Sequence, residues 1–159
     1  MKTLEASLYR AAALTFEGLA FAFPSADVSE EEARAKPEAA VRVSFRGSFG
    51  GHLVLGVSGG ILRQLTENML GGGQMVTDHL QDDALGELGN VMCGNVLDMI
   101  AGKASRFRLD APQPADPGEL TPPPDLPAAA VRIGLEGGRA DILLVLERSA
   151  AALVGVTPS

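Results

Sequence analysis

The sequence predicts an α+β fold whose strands pair largely antiparallel. Two long stretches, near 3–22 and 77–102, carry apolar residues at helical spacing. Two pairs of strand-like runs, 41–46 with 53–57 and 129–136 with 140–147, are each joined across glycines that suit a hairpin turn.

Within 3–22, Leu4, Leu8, Ala11, Thr15, Leu19 and Ala22 recur at intervals of three and four, which places them on one side of an amphipathic helix. Pro24 ends it. Asp27 to Ala40 is acidic and low in complexity, with Glu30, Glu31 and Glu32 in a row, and the 27–40 segment reads as a solvated, mobile loop. Val41, Val43 and Phe45 then alternate with Arg42, Ser44 and Arg46, the period of a strand with one buried face. Leu53, Val54, Leu55 and Val57 complete the hairpin beyond the glycines of 47–51. Ile61, Leu62, Leu65 and Met69 suggest a short helix closed by Gly71, Gly72 and Gly73. Those glycines lack the Lys-Ser/Thr of a phosphate-binding loop and follow a helix instead of opening one, so they read as a cap. After the second long helix, Phe107 and Leu109 suggest a short strand. The connection 111–127 holds seven of the ten prolines and reads as irregular or extended, because proline lacks the amide hydrogen that helix and sheet interiors require. The last two strands meet at Gly137 and Gly138, a pair that tolerates the positive φ of tight turns.

At 159 residues the chain suits one compact domain over 1–159. With 46% hydrophobic and 21% charged residues it has the balance of a globular protein, and 4% aromatics with no Trp implies a core of Leu, Val, Ile, Ala and Met. No apolar run approaches the roughly 18 to 20 residues of a membrane helix, and the start MKTLEASLYR lacks a signal peptide's apolar centre. A cytoplasmic protein is expected. A net charge of -7, a pI near 4.8 and no cluster of Lys or Arg argue against nucleic acid and membrane as partners. Cys93 stands alone, which excludes an internal disulfide, and with only His52 and His79 beside it a Cys/His metal site is not expected. All three read as packing or surface residues.

At about 100° per residue, Leu85, Leu88, Met92, Val96 and Met99 fall in one quadrant of the 77–102 helix, the side that faces the core. Asp83, Glu87, Asn90 and Gly94 gather on the opposite side at i, i+4, i+7 and i+11, so Glu87 and Asn90 point outward side by side. Gly86, Gly89 and Gly94 each cost about 1 kcal/mol of helix stability relative to alanine, and something must offset that. Close packing against the sheet suits Gly89, on the buried side. Gly94, beside Asn90, fits equally the approach of another protein's backbone. Taken alone, Glu-x-x-Asn is a pair that any solvated helix face could carry, and Asp83 is a charge that the macrodipole favours early in a helix.

The surrounding block narrows this. DDALGELGNVMCGNVLDMIAG, residues 82–102, closely resembles the motif helix of the CheX family of chemotaxis phosphatases, relatives of CheC. FRGSFGGHLVLGVSGGILRQLTENMLGG, residues 45–72, resembles the family's hairpin, helix and terminal glycine pair. With the C-terminal strands, the resemblance covers most of 41–147, and its specificity lies in ELGN with its flanking glycines. It implies a CheC/CheX-like fold, with long helices packed on one face of the sheet, and a homodimer paired through strand edges. The activity it implies is removal of the aspartyl phosphate from a CheY-like response regulator. In that reading Asn90 and Glu87 are catalytic: Asn90 orients the attacking water and Glu87 pairs with the receiver's lysine. The Mg²⁺ comes with the phosphorylated receiver, and the chain holds no metal of its own. Asp83 and Gly94 are candidates for partner binding. Two departures stand out. The acidic segment before residue 41 offers no clear counterpart to the family's extended strand, and Glu17-Gly18-Leu19-Ala20 has the Glu but not the Asn of a second acidic-amide motif. One active site per chain is expected.

A carboxamide suits the task because it both donates and accepts, and so can hold a water in line with the P–O bond. One rival keeps the fold and drops catalysis, leaving an adaptor that docks on a receiver or flagellar-switch component. Another is a metal-assisted enzyme using Asp83, Glu87 and Asp98, but Asp98 lies turns away along the helix and hard cations need converging oxygens.

Overall fold

A computed structural model describes residues 2–73 and 75–150, so the ends of the expected 1–159 domain lie outside the described residues. In chain order the elements are α1 (Lys2–Ala20), α2 (Glu30–Arg34), β1 (Pro37–Gly47), β2 (Gly51–Ser58), α3 (Leu62–Leu70), α4 (Asp78–Ala101), β3 (Phe107–Leu109), β4 (Gln113–Ala115), β5 (Ala128–Leu135) and β6 (Gly138–Leu146). One sheet runs in the order β3-β1-β2-β6-β5, with β4 also paired to β1 and every pairing antiparallel. Alternation decides its faces. Val41, Val43 and Phe45 of β1, Leu53 and Leu55 of β2, and Ile142 and Leu144 of β6 enter a core shared with α1, α3 and α4. The long helices therefore cover one face, as expected.

Leu4, Leu8, Ala11 and Thr15 of α1 are buried, joined by Phe16, which the spacing argument did not include. The Thr15 hydroxyl donates to the Ala11 carbonyl (2.7 Å) and accepts from the Asn95 side chain of α4 (3.1 Å), tying the two long helices together. The helix stops at Ala20, ahead of Pro24, where Phe21 turns left-handed at φ 51° and Asn68 of α3 donates to the Ala20 carbonyl (2.7 Å). Gly71 ends α3 in the left-handed region at φ 79°. No described helix is long and apolar enough to cross a membrane.

The 27–40 segment is not a mobile loop. Ser29 caps α2 through a capping box: its hydroxyl accepts from the Glu32 amide (3.1 Å), and the Glu32 carboxylate accepts from the Ser29 amide (2.9 Å) and the Ser25 hydroxyl (3.1 Å). Glu32 is 6% exposed, so one of three consecutive glutamates is buried with its oxygens satisfied. Arg139 then fastens the helix to the β5–β6 hairpin, donating to the Glu32, Ala33 and Ala35 carbonyls (3.0, 3.0 and 2.6 Å) while pairing with Asp141 (2.9 Å). Immediately afterwards β1 begins at Pro37 rather than at residue 41, opposite Ser58. The extended strand whose counterpart was in question begins here.

The proline-rich connection is extended, as expected, and well anchored. Asp110 and β4 continue the edge begun by β3, with Ala115 opposite Ala40 and Pro114 opposite Val41; an edge strand tolerates proline because one side of its backbone needs no partner. A 3₁₀ turn at Pro117–Leu120 crosses the sheet face opposite the helices, where Leu120 and Leu126 pack on Val54, Leu143 and Val145. Gly56 makes room for it: a Cβ there would stand 2.6 Å from the Leu120 Cδ1. Arg42 pairs with Glu119 on the same face. At the final turn Gly137 carries the positive φ of 84°, whereas Gly138 already belongs to β6.

Candidate active site

The α4 helix starts where Thr77 accepts the Leu80 amide (3.1 Å) and runs for 24 residues. Leu85, Leu88, Met92 and Val96 are buried, as their spacing predicts. Met99 is not: it is 37% exposed, because in the last turns the buried side swings to Leu97, with Ile100 and Ala101 packed at its edge. Opposite the core, Asp83, Glu87 and Asn90 are exposed and Gly94 is half-buried. Glu87 and Asn90, three residues apart, stand about 4.5 Å apart along the helix axis. Thus the wheel places these four residues correctly.

The glycines divide as their positions suggested. A Cβ on Gly89 would lie 3.0 Å from Val41 Cγ1 and 3.4 Å from Val43 Cγ2, so its absence lets the helix settle on the sheet. A Cβ on Gly94 would meet nothing within 4 Å. Gly86, which had no account, faces the proline connection, where a Cβ would reach 3.3 Å from the Pro112 Cβ.

Sequence reasoning missed what lies beside the pair. An open groove of about 690 Å³ runs between α4 and Pro112–Ala115, with Glu87 and Asn90 on its helical wall and Val41 at its base. Asp82 and Asp83 line it too. Proline spacing showed that this segment is extended but not that it lies against the motif helix, since Pro114 pairs with Val41, 73 residues earlier in the chain. Gly86, four residues from both Asp82 and Asn90, was the available signal. Around the groove, His79 Nε2 lies 3.3 Å from Asp83 Oδ2, both side chains being exposed.

Other titratable groups stand apart from the site. Cys93 lies on the buried side of α4, and burial pushes its thiol up to about 12, which suits packing rather than nucleophilic chemistry. His52, on the other face of the sheet, is held below its ordinary value by burial and by the nearby Arg42.

Comparison with known proteins agrees with the fold. A family model described as chemotaxis phosphatase CheX matches residues 39–138. No curated protein matches the chain. Among solved structures, a chemotaxis protein CheX from Desulfovibrio desulfuricans is similar, with a TM-score of 0.68 at 14% identity, covering 91% of this chain and 99% of that one. A CheX–CheY complex with BeF3 and Mg from Borrelia burgdorferi gives a TM-score of 0.62 at 13% identity, over 89% of this chain and 96% of the other. FliY from Thermotoga maritima gives 0.56 at 18% identity, over 97% and 91%. At such identities the structural likeness speaks for the fold, and the family match covers more than half of the sequence. The chain belongs to the CheX family of chemotaxis phosphatases.

Proposed function

We propose that this chain hydrolyses the aspartyl phosphate of a CheY-like receiver, with Asn90 orienting the attacking water and Glu87 pairing with the receiver's lysine. The observation that carries the reading is the exposed Glu87 and Asn90 pair on a helix locked to the sheet by Gly89 and to α1 by Asn95. Such a pair can enter another protein's pocket without unfolding anything. Water attacks phosphorus, the bond to the aspartate oxygen breaks, and the products are free aspartate and inorganic phosphate, which takes up the water's protons. An acyl phosphate is already activated, so alignment is the main contribution a helper enzyme can make. The Asn90 amide accepts and donates at once, which fixes a water in line. Early proton removal matters little in a loose transition state, so Glu87 serves better as an anchor than as a base. The Mg²⁺ belongs to the receiver, and a CheX–CheY complex among the similar structures supports a receiver as the partner.

In this reading the chain is one cytoplasmic domain with one site, and it pairs with a second copy through sheet edges. Among the described residues, strand β5 is hydrogen-bonded to a neighbouring strand on one side only, and along its other edge the Ser25 amide donates to the Gly134 carbonyl (2.8 Å). A second reading, an adaptor without catalysis, draws on the likeness to FliY, which shows that the fold is not confined to proteins named CheX.

Phosphate release from the host's phosphorylated receivers separates the two readings. Asn90→Ala is expected to lower turnover on the order of tenfold to a thousandfold, with folding intact because the side chain is exposed. Glu87→Ala is expected to raise the half-saturation concentration, by about 1 to 3 kcal/mol if the pair is shielded in the complex. Binding that leaves the phosphoryl lifetime unchanged in the wild type would establish the adaptor instead.

A further inference from the structure

The sheet face turned away from the long helices is covered at two places. Helix α2 meets the hairpin of β5 and β6 at Gly134 and Arg139, and the 3₁₀ turn at Pro117–Leu120 crosses β2. Between them an open basin of about 430 Å³ remains, with Pro37 and Arg139 on one side and Pro117, Leu120 and Thr121 on the other. The register builds its floor: Gly56, Asp141 and Arg132 are cross-strand neighbours on β2, β6 and β5, and Ser58 stands opposite Arg139. Leu120 occupies the space over Gly56, so the open floor lies toward Ala130 and Arg132, both exposed.

The fold uses only part of the polar capacity here. Asp141 accepts the Arg132 Nε on one oxygen (2.7 Å) and the Arg139 Nε on the other (2.9 Å), so a single carboxylate orients two guanidinium groups and neutralises one. Among the described residues no other charged side chain lines the basin, which leaves one positive charge in excess in a chain of net charge -7. Arg139 is 7% exposed and Ser58 3%. Neither the Arg139 Nη2 nor the Ser58 hydroxyl has a hydrogen-bond partner among the described residues, yet no buried side-chain nitrogen or oxygen is left unsatisfied there; both atoms therefore stay open to solvent, and the basin is the opening that both residues line. Ordered donors with nothing to donate to, beside an uncompensated guanidinium, suit an oxyanion, and Pro117, Leu120 and Ala130 around them suit an apolar body.

We propose that this basin binds a small organic anion, a carboxylate or a phosphate ester on a compact apolar body. Its oxygens take the free nitrogens of Arg132 and Arg139 and the Ser58 hydroxyl, and its body rests against Pro117, Leu120 and Ala130. Asp141 and the α2 carbonyls already hold Arg139 in place, so binding costs little side-chain freedom there. The basin lies across the sheet from Glu87 and Asn90, and the proposal stands independently of the phosphatase reading.

The test titrates the isotope-labelled full chain with benzoate and with phenyl phosphate, following backbone amides by NMR. Benzamide, without the charge, and inorganic phosphate, without the body, are the controls. Amides of Gly56, Ser58, Thr121 and Ala130 are expected to shift and saturate with a dissociation constant on the order of 1 mM, and the tighter of the two probes names the head group. Both controls should bind about tenfold more weakly or worse. Arg132→Gln, at a half-exposed side chain, should weaken binding about tenfold with the urea midpoint kept, and Ala130→Phe, at an exposed strand position, should fill the floor and abolish the response. Benzamide binding as tightly as benzoate, unchanged affinity in Arg132→Gln, shifts confined to residues outside the basin, or no saturation by about 10 mM of either probe would each overturn the proposal.

Discussion

Two glycines on one helix should respond to the same substitution with opposite signs. Gly94→Ala places a methyl where nothing lies within 4 Å, so the helix gains the propensity difference of about 1 kcal/mol. Gly89→Ala gains the same amount, but its methyl arrives 3.0 Å from Val41 Cγ1 and 3.4 Å from Val43 Cγ2, on β-branched side chains packed in the core. Overpacking of that kind costs about 1 to 3 kcal/mol, leaving Gly89→Ala between neutral and about 2 kcal/mol less stable than the parent. The two variants should therefore differ by about 1 to 3 kcal/mol. In urea, at a slope of about 2 kcal/mol per molar, their midpoints separate by about 0.5 to 1.5 M. Receiver kinetics supply the second readout, because the Gly94 methyl stands on the face that carries Glu87 and Asn90. If partner backbone approaches there, Gly94→Ala combines higher stability with a raised half-saturation concentration. A lower urea midpoint for Gly94→Ala would refute the geometry of the open face. A higher midpoint with unaltered kinetics would refute close approach as the reason for the glycine.

Two further outcomes follow from the rest of the sheet. Burial, and then Arg42, hold His52 below its ordinary value of 6.5, so the fold prefers the neutral ring; its stabilising effect is present above 6.5 and is lost as pH falls below it, because the unfolded chain binds the proton first. Urea midpoints should drop between about pH 7.5 and 5.5, and His52→Gln should flatten that drop, while equal pH dependence in both proteins would contradict the burial argument. The edge of β5, without a strand partner among the described residues, predicts a light-scattering mass of twice 16.5 kDa, and a single-chain mass at micromolar concentration would rule out edge pairing there.

What could be read from the sequence followed the range over which each feature is determined. The opposite faces of α4 are set by a repeat that runs along 24 residues, so Glu87, Asn90 and Asp83 were placed outward and Leu85, Leu88, Met92 and Val96 inward with no tertiary information. Met99 escaped because the helix ends there and its neighbours, not its phase, decide burial. The acidic segment mixed a local signal with a distant one. Ser29-x-x-Glu32 spells a capping box that the run of glutamates obscured, whereas the burial of that end of α2 depends on Arg139, 107 residues from Glu32. Likewise, the prolines showed that 111–127 is extended, but only the pairing with β1 shows that the extension forms a wall beside Asn90.

That wall separates two demands that the ELGN block otherwise blurs. Glu87 and Asn90 are exposed, so the fold can hold any good helix former there, and what asks for these two side chains is function. Gly86 and Gly89 are the reverse case. Each stands where a methyl would strike another element, Pro112 in one instance and β1 in the other, and together they set how close α4 lies to the sheet and to its proline edge. A change at Gly89 lifts the whole helix, so stability and receiver affinity should suffer together, whereas a change at Gly86 pushes on Pro112 and shifts the groove's far wall while leaving the core contacts of Leu85, Leu88 and Met92 in place. The motif's glycines are therefore not a flexible accompaniment to its polar pair. They are the positions at which the shape of the groove is written into the packing of the helix.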